Sequence, residues 1–192
     1  MGATGWSFRV PYHEDMEQAL EELKQKEFAA GRYEKPGVEW DVLDDFGLLD
    51  AGSDEEREEI IEEYGLEALR RPLAEVGVEG FRPWLKALDD APAVRTRADL
   101  DVLQQFSSSG TGSILDISHV APTPEFGTLS PLPRETLLQH FGTDKPTRAQ
   151  VEAGLRALDI RTHLHQRGAG SYIVLYEAGQ PSEIYIEGST GD

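Results

Sequence analysis

Bulky and polar side chains alternate from Trp6 to Tyr12 (WSFRVPY), and that period of two predicts a strand ended by Pro11. The period then lengthens. Met16, Ala19, Leu20 and Leu23 recur at helical spacing and predict a helix from His13 to Ala30, with Gly31 as its C-cap. Residues 32–52 carry Pro36, Gly37 and Gly47 and read as a loop. Within it Val38, Trp40, Val42, Leu43, Phe46 and Leu48 are apolar, so the loop is expected to pack down on a core. Ser53-Asp54-Glu55-Glu56 is a capping box, with serine at the N-cap and glutamate three residues on. It opens a helix with Ile60, Ile61 and Tyr64 on its inner side. Gly65 interrupts that helix, and Leu66 to Val76 resumes it around Pro72.

Phe81 to Leu88 predicts a further short helix. Thr96 and Asp99 cap another from Arg97 to Phe106. Ser107 to Ser113 (SSSGTGS) is a polar loop leading into an expected strand, Ile114–Ser118. The prolines at 122, 124, 131 and 133 make the next segment an expected loop. Glu135 to His140 and Thr147 to Leu158 read as helices, the second with Val151, Leu155 and Leu158 on one side. Tyr172–Tyr176 and Ile184–Ile186 are β-rich runs around Ala178-Gly179-Gln180-Pro181, a hairpin signal. There is no repeat of fixed period and no linker. The expectation is a single α+β domain over 1–192: a small, mostly antiparallel sheet from the N-terminal strand, Ile114–Ser118 and the hairpin, with about six helices packed mainly on one face.

Charge changes this picture most. The chain is 192 residues long with a formal net charge of −18. Residues 39–67 hold thirteen carboxylates and a single base, Arg57. Such a field repels phosphates and anionic lipid, which argues against direct nucleic-acid binding and against a membrane surface. It favours basic partners. The absence of cysteine removes disulfides, thiolate chemistry and Cys-ligated metals. No run reaches the ~18 apolar residues of a membrane span. Residues 1–6 lack a basic region followed by an apolar one, so a cytoplasmic setting is expected.

In a helix from Ser53, the pairs Glu55/Glu59, Glu58/Glu62 and Glu59/Glu63 stand one turn apart, each costing about 0.2–0.5 kcal/mol. Local helix stability therefore does not explain the segment; solvation or a docking role does. Asp54, Glu55, Glu58, Glu59, Glu62 and Glu63 are the candidate binding residues. Asp41, Asp44, Asp45, Asp50 and Asp54 do not follow EF-hand spacing. A whole-body DNA mimic would spread its carboxylates, whereas residues 101–192 hold only eleven of thirty-six.

Other chemistry is sparser. His163 and His165 would point to one side of an extended chain, as two metal ligands require, but no third ligand is spaced to join them. Ser109, Gly110, Thr111, Gly112 and Ser113 form a glycine-rich loop that could wrap a phosphate. It follows a helix and precedes a strand, the reverse of a P-loop, and no lysine follows. Arg9, this serine loop and Glu183 stand in an order that resembles mono-ADP-ribosyltransferases. That resemblance implies a nicotinamide-dinucleotide site with Arg9 and Glu183 as its catalytic pair. The family's serine-threonine-serine strand is missing, and Gln180 lies three residues before Glu183 instead of two.

The stretches GWSFRVPY, SILDIS, PEFGTLSPLP and YIVLYEAGQPSEIYIEG resemble a family of small bacterial proteins. The resemblance spans most of the chain and implies a single domain, with no activity, cofactor or catalytic residue attached. The function expected from the residues is an acidic, non-enzymatic binding protein of the inhibitor or immunity type, without a cofactor, engaging a basic protein partner. A small enzyme or nucleotide-binding protein using the SSSGTGS loop is the alternative. The sequence fixes no oligomeric state.

Overall fold

A computed structural model describes residues 5–157 and 168–189. The first described elements are β1 (Gly5–Pro11), α1 (Met16–Ala29), α2 (Trp40–Asp45), α3 (Asp54–Tyr64), α4 (Arg70–Asp90) and α5 (Arg97–Gln105). Then come β2 (His119–Val120), β3 (Thr128–Pro131), α6 (Arg134–Phe141), α7 (Arg148–Ala157), β4 (Gly170–Glu177) and β5 (Gln180–Ser189). Short 3-10 turns occupy Glu67–Leu69 and Ile114–Asp116. Two compact units emerge, one of Met1–Glu34 with Thr111–Asp192, the other of Lys35–Gly110.

The first unit is α+β. Its five strands run in the order β1-β5-β4-β3-β2, antiparallel at β1/β5 and β5/β4, parallel at β4/β3 and β3/β2. Alternation sorts the side chains. Trp6, Phe8 and Val10 of β1 stand with Ile184 and Ile186 of β5, and α1 lays Ala19, Leu20 and Leu23 on that face. Ile173, Leu175 and Tyr185 point the other way and pack with Leu132, Phe141 and Val151 from around α6 and α7. Helices thus cover both faces of the sheet instead of gathering on one.

The third strand is not where the sequence pattern places it. Ile114–Asp116 is a 3-10 turn, because short polar side chains claim its backbone. Ser113 Oγ accepts from Leu115 N (3.2 Å), and Asp116 Oδ1 accepts from Thr111 N (2.6 Å). The extended partner of β4 is instead Thr128–Pro131, inside the proline-rich segment expected to be loop. Thr128, Leu129 and Ser130 are buried; Pro131 lies beyond the pairing with β2, which ends at Leu129, and the next N–H, of Leu132, goes to Tyr172 O (2.9 Å).

The β4–β5 hairpin closes through Ala178-Gly179, with φ of 49° and 80°. Both signs match a type I′ turn, which favours Asn-Gly. Ala178 is the one described non-glycine residue at positive φ. Ala178→Asn should raise stability by about 1 kcal/mol, read as a higher urea midpoint at unchanged slope.

The second unit is helical. Phe106 and Phe81 are fully buried with ring centroids 6.5 Å apart, and Phe46 lies 6.3 Å from Phe106. Leu43 and Leu48, from the segment expected to be loop, are buried as that expectation required, although Trp40–Asp45 coils into α2. The two helices expected around Pro72 and Phe81 form one element, α4, broken at Gly77 (φ 69°, ψ 168°). Pro72 sits in its first turn, where proline does no harm.

Candidate functional site

The carboxylate-rich helix α3 is fixed chiefly at its ends. Ser53 Oγ accepts from Glu56 N (3.1 Å), and Glu56 Oε2 accepts from Gly52 N (2.7 Å), a capping box shifted by one residue. Asp54, Glu55 and Glu56 fill the first turn, where the helix dipole welcomes negative charge. Of the three residues expected on the inner side, Ile61 is buried and Ile60 half-buried. Tyr64 is 52% exposed, its ring 5.2 Å from that of Phe46. Everything else on the helix except Arg57 is exposed glutamate or aspartate.

Arg57 is not the only counter-charge. Arg70, from outside the acidic segment, binds Glu58 (2.8 Å), Glu62 (3.4 Å) and Glu67. The Glu58 hydrogen bond, followed by the charges of all three, raises the pKa of its guanidinium. Arg57 pairs with Asp54 (2.6 Å) and donates to Ala51 O (2.9 Å). Arg82 pairs with Asp44. Three of the six candidate binding residues, Asp54, Glu58 and Glu62, are therefore already engaged. Glu55, Glu59 and Glu63 have no ion pair among the described residues, and their i, i+4, i+8 spacing sets them in one stripe. Beside α3 a cleft of about 410 Å³ opens against α4, lined by Arg57, Glu58, Ile61, Arg70, Leu73 and Val78 among others.

The first residue of the segment is tied elsewhere. Ser108 donates both its hydroxyl and its N–H (2.9 Å) to Glu39 Oε1. The hydroxyl bond, then the backbone bond, hold the Glu39 carboxyl below its usual range. A depressed folded value means the contribution is complete above the ordinary glutamate pKa of about 4.3 and is lost as pH falls through the lower folded value. Ser108→Ala should therefore move the acid-unfolding midpoint to higher pH, followed by circular dichroism. An unmoved midpoint would mean that the serine does not hold Glu39.

Several donors of the SSSGTGS loop are similarly occupied. Ser109 N donates to Ser107 Oγ (3.2 Å). Thr111 and Ser113 are buried, and Thr111 gives both its N–H (2.6 Å) and its hydroxyl (2.8 Å) to Asp116 Oδ1. Ser108 and Thr111 thus each donate to a carboxylate of the chain itself, Glu39 and Asp116 respectively. Gly110 and Gly112 lie in the same loop, Gly112 at φ 67°.

Arg9 and Glu183 do come to the same face of β1 and β5, but each meets another charge. Arg9 Nη2 binds Glu152 (2.9 Å) and its guanidinium lies 6.0 Å from the Tyr185 ring centroid. Arg148 Nε binds Glu152 (3.0 Å), and its Nη1 lies 3.7 Å from Glu183. The four form one alternating chain of charge. Sequence reasoning missed a neighbouring feature. Glu187 is buried and accepts from Tyr185 Oη (2.5 Å), and register places it beside Ser171 and, one strand on, Ser130. The signal was present in Glu183-Ile184-Tyr185-Ile186-Glu187, where strict alternation sets three polar residues on one face, two of them buried. Ser118 Oγ lies 2.8 Å from His119 Nδ1 and 2.8 Å from Gly127 O, the carbonyl to which it donates.

His163 and His165 lie outside the described residues. Among the described residues no three His, Asp or Glu side chains converge on a possible metal position, and no helix is long and apolar enough to cross a membrane. Compared with protein-family models, with curated proteins and with solved structures, the chain finds no match in any of the three.

Proposed function

We propose that the protein is an acidic, non-enzymatic binding protein of the inhibitor or immunity type, which engages a basic protein partner through α3. The observation that carries this reading is the stripe Glu55, Glu59, Glu63, exposed and without an ion pair among the described residues. A helix bearing like charges at successive turns is weakened by them, so an opposite charge arriving from outside relieves a standing repulsion. Charges at an exposed stripe act mostly on the encounter rate and make it salt-sensitive.

The test is binding of an arginine-rich helical peptide, followed by calorimetry at low and high salt. Reversing Glu55, Glu59 and Glu63 to lysine together should weaken it at least about a hundredfold, some 2.7 kcal/mol by affinity arithmetic. Reversing Glu58 and Glu62 should do less, because Arg70 already shares them. Binding that survives the triple reversal, or that ignores salt, ends the proposal.

A further inference from the structure

Where β1 runs out beside α1, a pocket of about 270 Å³ remains. Val10, Ala19 and Leu23 supply apolar wall, and Ala19 and Leu23 belong to the buried cluster beneath the sheet. His13, Glu22 and Lys26 supply its charged and polar groups.

Glu22 and Lys26 stand one helical turn apart with the acid first, the order that favours an i, i+4 ion pair. They do not make one. The same helix closes Lys24 on Glu21 (2.6 Å). Glu22 instead accepts from Gln18 Nε2 (2.8 Å), and among the described residues Lys26 has no ion pair. His13 Nδ1 is engaged by the Asp15 backbone (3.0 Å to N), which leaves Nε2 as the ring's other polar atom. An acid and a base, not spent on each other, thus border one apolar pocket.

We propose that this pocket binds a free α-amino acid with a branched or aromatic side chain. Its ammonium would go to Glu22, its carboxylate to Lys26 and His13 Nε2, and its side chain against Val10 and Leu23. A plain carboxylic acid would meet the charge of Glu22, and a plain amine that of Lys26; a zwitterion meets neither penalty. The residues are separate from those of α3, so the two proposals stand or fall independently.

The experiment is an amide-resolved NMR titration of the full chain with L-leucine and L-phenylalanine, against isovalerate and isoamylamine. Saturable shifts at His13, Leu23 and Lys26 are expected with the amino acids. Each truncated analogue should bind at least about tenfold more weakly. Glu22→Gln and Lys26→Met, both at exposed positions, should each cost a similar factor while leaving the rest of the spectrum in place. No saturable shift with either amino acid, equal binding of isovalerate and leucine, or indifference to both variants would overturn the proposal.

Discussion

Gly188→Val is expected to destabilise the protein by about 3 kcal/mol or more, the upper range for overpacking a filled core. Gly188 of β5 pairs with Trp6 of β1 on one side and Gly170 of β4 on the other. The indole lies across both glycines. A Cβ at Gly188 would stand 2.2 Å from two of its ring carbons and 2.9 Å from Ala169 O; one at Gly170 would stand 2.9 Å from the ring. Neither the ring nor the backbone can withdraw, since Trp6 is only 8% exposed and the glycines are held in a four-strand stretch of sheet. Urea unfolding measures the loss. The decisive control is the double variant with Trp6→Ala: removing the ring empties the space the valine needs, so the two costs should combine to clearly less than their sum. Strict additivity would mean that the indole does not lie there.

Phe106→Ala is expected to cost about 3–5 kcal/mol, the range for deleting a buried aromatic ring. Its ring is completely buried and stands between those of Phe46 and Phe81. Its carbonyl also accepts from Glu39 N (2.7 Å), a bond that alanine would keep, so the loss is one of packing alone. Tyr64→Ala is the internal comparison. That ring also touches Phe46 (5.2 Å) but is mostly in solvent, so about 1 kcal/mol is expected. If both variants unfold at the same denaturant concentration, Phe106 is not the keystone of the helical unit.

Where a local signal repeats within a few residues, the fold follows it. The alternation of Tyr172–Tyr176 against Ile184–Ile186 gives the hairpin, and Thr96 with Asp99 makes both bonds of its capping box. Met16, Ala19, Leu20 and Leu23 do share the packed side of α1. Elsewhere remote groups decide. Thr128–Pro131 is a strand because β4 is there to pair with it, and its flanking prolines hide that from a local reading. Ile114–Asp116 turns because Thr111 and Asp116 bond across it. The acidic segment is less bare than its composition states, since Arg70 and Arg82 reach it from α4, Arg82 across 38 residues to Asp44. What composition could give was the excess of charge. What it could not give was which glutamates keep it, and that reduces six candidate residues to the stripe of three.

The position of β5 in the sheet has a consequence for how the chain is made. Among the described residues β1 pairs with β5 alone, and the whole of α1 to β4 is synthesised between the two. At about 5–20 residues per second, β1 therefore waits roughly 10–40 s with its backbone edge and Trp6 uncovered. The residues of the helical unit, Lys35–Gly110, all emerge within that interval. Slowed translation should thus lengthen the interval in which nascent β1 is open to capture by chaperones.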